Sequence, residues 1–275
     1  MQRFRSFALA AALFTSAAWG AECDNWQTAH PEWLWCDDFE ATTSLSQRYE
    51  DVSTDGMSVV AANGFNGSKG LTQAYTSGQV NAGWVTKSKS TGFPDHIFYR
   101  YYHKFGSGYT RFPPKMSRIG YRNFSNWSAV YHVHSWLTDS GTMTADVLAS
   151  NSTQTNGTGW LQLASANYSF SGHANEWVAV ETEVKVNTPG QKDGLYRTWI
   201  NGTLVIERLN VDLRGSTSDK INEVMLDCYW NGGSTGNLTR YYDNFVISTT
   251  KIGLAGTATL APPMPPTNVT VDQTN

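Results

Sequence analysis

From residue 33 to residue 248 apolar and polar residues alternate at a period of two, in short stretches bounded by Gly, Pro, Asn or Ser. Past the first twenty residues no stretch keeps an apolar period of 3.6 over helical length. A chain built this way must close its apolar faces sheet against sheet, so the pattern predicts an all-β sandwich or barrel without helical crossovers. The strands are expected at 33–39, 70–75, 96–105, 129–137, 142–149, 159–164, 177–186, 195–200, 203–208, 221–230 and 240–248. Asn201-Gly202 between Ile200 and Thr203 marks a two-residue hairpin, because both central positions of a type I′ turn need positive φ.

The ends differ from this body. Residues 1–20 combine a basic start (Arg3, Arg5), an apolar stretch and the small-x-small triplet Ala18-Trp19-Gly20, which reads as a secretory signal peptide too short to span a bilayer. Residues 21–253 form the expected sheet domain. In 254–275, Pro262, Pro263, Pro265 and Pro266 cannot feed a ladder and read as a linker or disordered tail. The chain is therefore expected to be exported, to the cell exterior or periplasm, as a monomer without a membrane span. Cys23 and Cys36 can close a small N-terminal loop and leave Cys228 single; Cys36 with Cys228 is the competing pair. No C-x-x-C pair suggests a zinc site.

Loss of Arg3 and Arg5 would take the formal charge from −3 to −5, which excludes global attraction to nucleic acid or an anionic membrane. Yet between His96 and Thr138 stand Arg100, Lys104, Arg111, Lys115, Arg118 and Arg122 and four of the six histidines, without one Asp or Glu. A local cationic field on an acidic, aromatic-rich chain points to an anionic ligand held by that segment. Alternation in 96–105 puts Ile97, Tyr99, Tyr101 and Phe105 inward and Phe98, Arg100, Tyr102 and Lys104 outward. Alternate residues stand about 6.5 to 7 Å apart, close to one sugar unit, so such a row can track a polysaccharide. In 129–137 the same rule puts Ala129, Tyr131, Val133 and Leu137 inward and Val130, His132, His134 and Trp136 outward. In 177–186 it leaves Glu181, Glu183 and Lys185 exposed; in 221–230 it sets Met225, Asp227 and Tyr229 opposite Val224, Leu226, Cys228 and Trp230.

Trp177-Val178-Ala179-Val180-Glu181, Trp199-Ile200-Asn201-Gly202, Tyr229-Trp230-Asn231-Gly232-Gly233 and Tyr242-Asp243-Asn244-Phe245 follow in an order that resembles the concanavalin A-like jelly rolls of polysaccharide lyases, above all the alginate and glucuronan lyase group. The resemblance covers most of residues 96–253 and implies a jelly-roll β-sandwich of two antiparallel sheets. It matches Lys115, in Phe112-Pro113-Pro114-Lys115, to a lysine that the group often carries after a Y-F-R-Y-type strand. The group's S-x-R and Y-x-Y strands are absent: the corresponding stretches read Tyr131-His132-Val133-His134-Ser135-Trp136 and Asp146-Val147-Leu148.

The activity implied is β-elimination from a uronate-containing polysaccharide. That chemistry needs a charge to neutralise the carboxylate, a base at the α-proton and an acid at the leaving oxygen, and requires no cofactor or metal. The expected catalytic residues are Arg100 or Lys115 as neutraliser, His134 as base and Tyr229 as acid, with Tyr102 as a second candidate acid. Tyr102, Lys104, His132, Trp136 and Asn231 are expected to bind substrate. Two other readings stand beside this one. A laminin G-like binding module would use the same face without turnover, and a glycoside hydrolase would need a carboxyl pair, for which Glu181 and Glu183 are the obvious candidates.

Overall fold

The computed structural model describes residues 22–126, 128–149 and 160–256. The expected signal peptide and nearly all of the expected tail lie outside the described residues. In chain order the strands are β1 (Trp33–Asp37), β2 (Asp51–Ser53), β3 (Met57–Val60), β4 (Gly70–Tyr75), β5 (Trp84–Ser88), β6 (His96–Phe105), β7 (Lys115–Asn123), β8 (Ser128–Leu137), β9 (Thr142–Ala149), β10 (Trp160–Ser169), β11 (Val178–Lys185), β12 (Gly194–Ile200), β13 (Thr203–Val211), β14 (Glu223–Leu226) and β15 (Leu238–Ser248). Every pairing is antiparallel. The first sheet runs β13-β12-β11-β6-β15-β4-β3, with β1 also beside β15; the second runs β10-β9-β8-β7-β14-β5-β2. This is the jelly-roll sandwich that the sequence led us to expect.

β4, β6 and β9 have the expected bounds, while 221–230 shortens to the four residues of β14. The short strands β2, β3 and β5 were not anticipated, and neither was β7. Pro113 and Pro114 open it, and Lys115, Arg118, Gly120 and Arg122 conceal the apolar alternation of its inner face. The Asn201-Gly202 turn forms as expected, with φ of 48° and 79° joining β12 to β13.

Between the sheets Ile97, Tyr99, Tyr101 and Phe105 of β6 pack with Tyr131, Val133 and Leu137 of β8, Val178, Val180 and Val184 of β11, and Val224 and Leu226 of β14. One inward assignment reverses. A register shift between Tyr121/Tyr131 and Arg122/Ala129 inserts an extra residue at Val130, so Val130 packs on the core and Ala129 turns outward.

The outer face of the first sheet is not a free rail. The N-terminal segment, tied to β1 by the Cys23–Cys36 disulfide, and the stretch after β15 cover it with a second apolar cluster of Trp33, Cys36, Phe98, Trp199, Val246 and Ile252. Arg100 is 1% exposed beneath this cover. Its guanidinium pairs with Glu22 and donates to the carbonyls of Gly253 (3.0 Å) and Asn244 (3.4 Å). Tyr102 accepts from the backbone N–H of Ala255 at 2.8 Å, so Ala255, read as part of the tail, is bound to the first sheet. Cys228 is a free, buried thiol.

His103 is fully buried on the inner face of β6, ringed by the edges of Phe105, Phe170 and Tyr242, and neither ring nitrogen has a hydrogen-bond partner among the described residues. Burial, and then the charge of Arg240, holds its pKa well below that of a free histidine. The unfolded chain therefore binds a proton near pH 6.5 that the folded chain refuses, and stability falls as pH drops below that value by about 1.4 kcal/mol per unit for this group. His103→Leu should lose less stability between pH 7 and pH 5 than the wild type, as read by urea unfolding at both pH values. Equal losses would assign the acid sensitivity to other groups.

Candidate active site

The outer face of the second sheet carries the groove. It is about 340 Å³ in volume and is lined by Lys115, Arg118 and Arg122 of β7, Ala129, His132, His134 and Trp136 of β8, Leu148 of β9, and Asn231 from the loop after β14. Register builds it. Across β7 and β8 Lys115 stands opposite Trp136, Arg118 opposite His134 and Gly120 opposite His132, while Asp146 of β9 stands on the other side of His134. A second shift between Lys115 and Ser117 turns both Met116 and Ser117 inward, leaving Lys115 and Arg118 to face the groove.

β14 supplies the acids that the cationic segment lacks. Glu223, opposite Gly120, meets His132 Nε2 at 2.8 Å, Arg122 Nε at 2.9 Å and Arg118 Nε at 3.5 Å. Burial pushes its carboxyl up, but the His132 N–H and the two guanidiniums together outweigh burial and hold it down at about 2. Burial likewise lowers His132, against the pull of Glu223. Asp227 lies 3.8 Å from Arg118 and accepts the backbone N–H of Tyr229 at 3.0 Å, which starts the loop on the groove side.

Lys115 differs from the two arginines. It forms no ion pair among the described residues, and its ammonium sits 4.4 Å from the centre of the Tyr229 ring. Burial lowers its pKa, with Asp227 opposing and Arg118 adding to the fall. Tyr229 itself is 40% exposed. Beneath them the fully buried Arg240 donates to the Lys115 carbonyl at 2.8 Å, to Gln73 Oε1 at 2.8 Å and to the Asp227 carbonyl, tying the start of β7 to the end of β14. At the loop's far end Gly233 has φ of +82°, and a Cβ there would stand 2.4 Å from the Gly78 carbonyl oxygen. On β8 the Trp136 indole N–H donates to His134 Nδ1 at 3.2 Å. Burial, then His132, Arg118 and Lys115, keeps His134 well below the usual histidine pKa. Asp146, held by the Thr144 hydroxyl at 3.2 Å, is pushed up to about 6 by burial.

Of the expected site residues, Lys115, His132, His134, Trp136, Asn231 and Tyr229 come together. Arg100, Tyr102 and Lys104 do not, and their expected roles are corrected: they stand on β6 in the opposite sheet. Arg100 and Tyr102 are buried there against the chain's own end segments, and Lys104 rests 4.7 Å and 4.4 Å from the rings of Trp177 and Tyr241. Alternation gave their side of the strand, not what covers it. Glu181 and Glu183, read as exposed, are buried: Glu181 accepts the N–H groups of Ile252 (2.6 Å) and Gly253 (3.1 Å), and Glu183 pairs with His96 (2.8 Å) and Arg197 (3.1 Å). Neither offers a carboxyl to the groove, which takes away the acid pair of the hydrolase reading. Sequence reasoning missed Glu223 and did not assign Arg118 and Arg122 to the site. Their signal was the unbalanced charge of residues 96–138, which a buried face has to neutralise from another strand.

A groove of about 350 Å³ beside the disulfide is lined by Asp24, Asp37, Asp38 and Glu40 and would repel a polyanion. Among the described residues no group of three His, Cys, Asp or Glu side chains is arranged to hold a metal ion, and no helix is long and apolar enough to cross a membrane.

Fold and groove thus define a jelly roll whose second sheet lines a groove with cations and aromatics. Residues 130–245, which hold β8 to most of β15, match the family model described as polysaccharide lyase 14. An alginate lyase of that family from Aplysia kurodai superposes with a TM-score of 0.64 at 13% identity, over 79% of this chain and 99% of the other. An endo-β-1,4-glucuronan lyase from the fungus Trichoderma reesei gives 0.54 at 16%, over 79% and 96%. A variant of the alginate lyase Aly36B, solved in complex with alginate tetrasaccharide, gives 0.57 at 13%, over 80% and 98%. The chain shares the jelly roll of these lyases, and the resemblance read from its motifs is borne out. No curated protein sequence matches it.

Glu223 ties the groove's acid limit to the fold. Its carboxyl titrates at about 2 in the folded chain against 4.5 in a free side chain, so its contribution is complete above pH 4.5 and is lost as pH falls through about 2. Glu223→Gln, which leaves two guanidiniums without their shared counter-charge, should unfold at lower urea at pH 7, by about 3 kcal/mol. The gap to the wild type should narrow between pH 4.5 and pH 2; a gap independent of pH would contradict the assignment.

Proposed function

We propose that this protein is an exported polysaccharide lyase that cleaves a uronate-containing polysaccharide by β-elimination in the groove of the second sheet. The observation that carries the reading is Lys115: an ammonium at the groove, without an ion-pair partner among the described residues, against the ring of a half-exposed tyrosine. An ammonium so placed pairs with the carboxylate of a uronate, and the adjacent α-proton at C5 becomes acidic. The C5–H bond then breaks, its electrons form the C4–C5 double bond, and the C4–O bond to the departing sugar breaks.

One group can take the proton and return it, because elimination releases at C5 the proton that the leaving oxygen needs at C4. Tyr229 fits that part. Its oxygen, on a ring 4.4 Å from the Lys115 ammonium, can take the C5 proton and as phenol donate it to the oxygen of the departing sugar. Trp136 and Asn231 line the same groove and are assigned to sugar contact; His132, bound by Glu223, is assigned to holding the floor. The family match and the lyase neighbours support the same chemistry.

Purified protein incubated with alginate, glucuronan and a glycosaminoglycan should generate the ultraviolet absorbance of a 4,5-unsaturated uronate from at least one of them. Lys115→Ala and Tyr229→Phe should each lower kcat/KM by about 10²-fold or more while leaving the melting temperature within a few degrees. Binding without new absorbance would make the groove a binding module, and new reducing ends without absorbance would make the protein a hydrolase.

A further inference from the structure

Among the described residues the cover over the first sheet reaches along β6 as far as Tyr102, where Ala255 docks. Lys104 stands two residues further on the same face, and register sets an aromatic side chain on either side of it. Tyr241 of β15 is its direct partner; Trp177, the residue before β11, falls on its other flank because Val178 pairs with His103. The Lys104 ammonium lies 4.7 Å from the centre of the Trp177 ring and 4.4 Å from that of Tyr241. It forms no ion pair among the described residues, and rings attract a cation without neutralising it.

Three polar side-chain ends meet here: the Lys104 ammonium, the Trp177 indole N–H and the Tyr241 hydroxyl. None of them makes a hydrogen bond among the described residues, none is buried, and all three residues keep part of their surface in solvent. The neighbouring acids are engaged elsewhere. Glu176 pairs with His173 at 2.8 Å, and the fully buried Asp243 accepts the Phe65 N–H at 2.6 Å and the Ser68 hydroxyl at 2.9 Å. Those two bonds pin the loop 64–68 as a wall, with the Phe65 ring 4.2 Å from Tyr102 and 6.2 Å from Trp177.

We propose that Lys104, Trp177 and Tyr241 form a second, non-catalytic binding site for an acidic polysaccharide, on the opposite sheet from the groove. The ammonium meets a carboxylate, the indole N–H and the phenol meet sugar hydroxyls, and the rings meet the C–H face of a sugar. From Trp177 to Tyr241 the row spans about 10 Å, room for one or two sugar units. One charge among flat apolar surfaces matches a ligand that combines carboxylates with C–H faces. Nucleic acid also stacks on rings, but the negative charge of the whole chain disfavours it. The site holds the polymer and so raises its concentration at the groove. The ligand class rests on the lyase reading; the site and its open donors do not.

The test is binding by the full chain, read without turnover in the Lys115→Ala protein. Alginate, glucuronan and a glycosaminoglycan are each titrated while nitrogen-15 correlation spectra are recorded, and at least one should move the Trp177 indole N–H signal. Adding Lys104→Gln or Tyr241→Ala should raise the Kd read at that signal by about 10-fold. High salt should weaken the same binding. A Trp177 signal that none of the three moves, or a Kd unchanged by Lys104→Gln, would overturn the proposal. An equal response to an uncharged glucan or to a DNA oligonucleotide would overturn it as well. The Trp177 signal reports the first sheet alone. A protein that cleaves nothing yet shifts this signal loses the lyase reading and keeps the second site, whereas an active lyase with a silent Trp177 loses the second site only.

Discussion

The contact on which the rest depends is the one between Glu223 and the two arginines of β7. A sheet face carrying Lys115, Arg118, Arg122, His132 and His134 in adjacent positions would repel itself and resist burial if left alone. β14 inserts a carboxylate into the middle of it. One acid then anchors Arg118, Arg122 and His132, and the side chains that form the groove floor are held without mobile counter-ions. Among the described residues Lys115, at one end, is left without an ion pair, and that charge is what an acidic sugar would meet.

This arrangement separates two roles that the composition of residues 96–138 runs together. Arg118 and Arg122 are paired cations that shape the surface, whereas Lys115 is set against an aromatic ring and has desolvation as its dominant influence. The buried Arg240 links the layers by clamping the Lys115 and Asp227 carbonyls from inside the sandwich, so the start of β7 and the tyrosine loop share one anchor. A buried guanidinium satisfied by fixed acceptors gives that anchor a defined geometry. The groove is therefore placed by the core as much as by its own rim.

Much of the fold was legible because a period of two reports directly on which face of a strand is apolar. β4, β6 and β9 came out residue for residue, and the Asn201-Gly202 hairpin followed from turn chemistry alone. β7 was hidden because its outer face carries the site's own cations, so the functional requirement erased the signal of the strand. The site was half legible for a related reason. Alternation puts Arg100 and His134 each on an outer face, but it cannot say that one face lies under the N-terminal segment and the other borders a groove. That distinction depends on strand order and on contacts such as Arg100 with Glu22 and Gly253, which bring together residues far apart in the chain. Glu223 was missed for the same cause, since its partnership with Arg122 exists only through the pairing of β14 with β7.

The central claim is that the second sheet, and not the covered face of the first, receives a uronate carboxylate at Lys115. The most direct measurement is a crystal structure of the inactive Lys115→Ala protein with an alginate oligosaccharide bound. The account predicts a sugar chain along β7 and β8, with one carboxylate over the vacated lysine position and within reach of Tyr229. An oligosaccharide bound at Lys104 and Trp177 on the opposite sheet, with the β7–β8 groove empty, would contradict it.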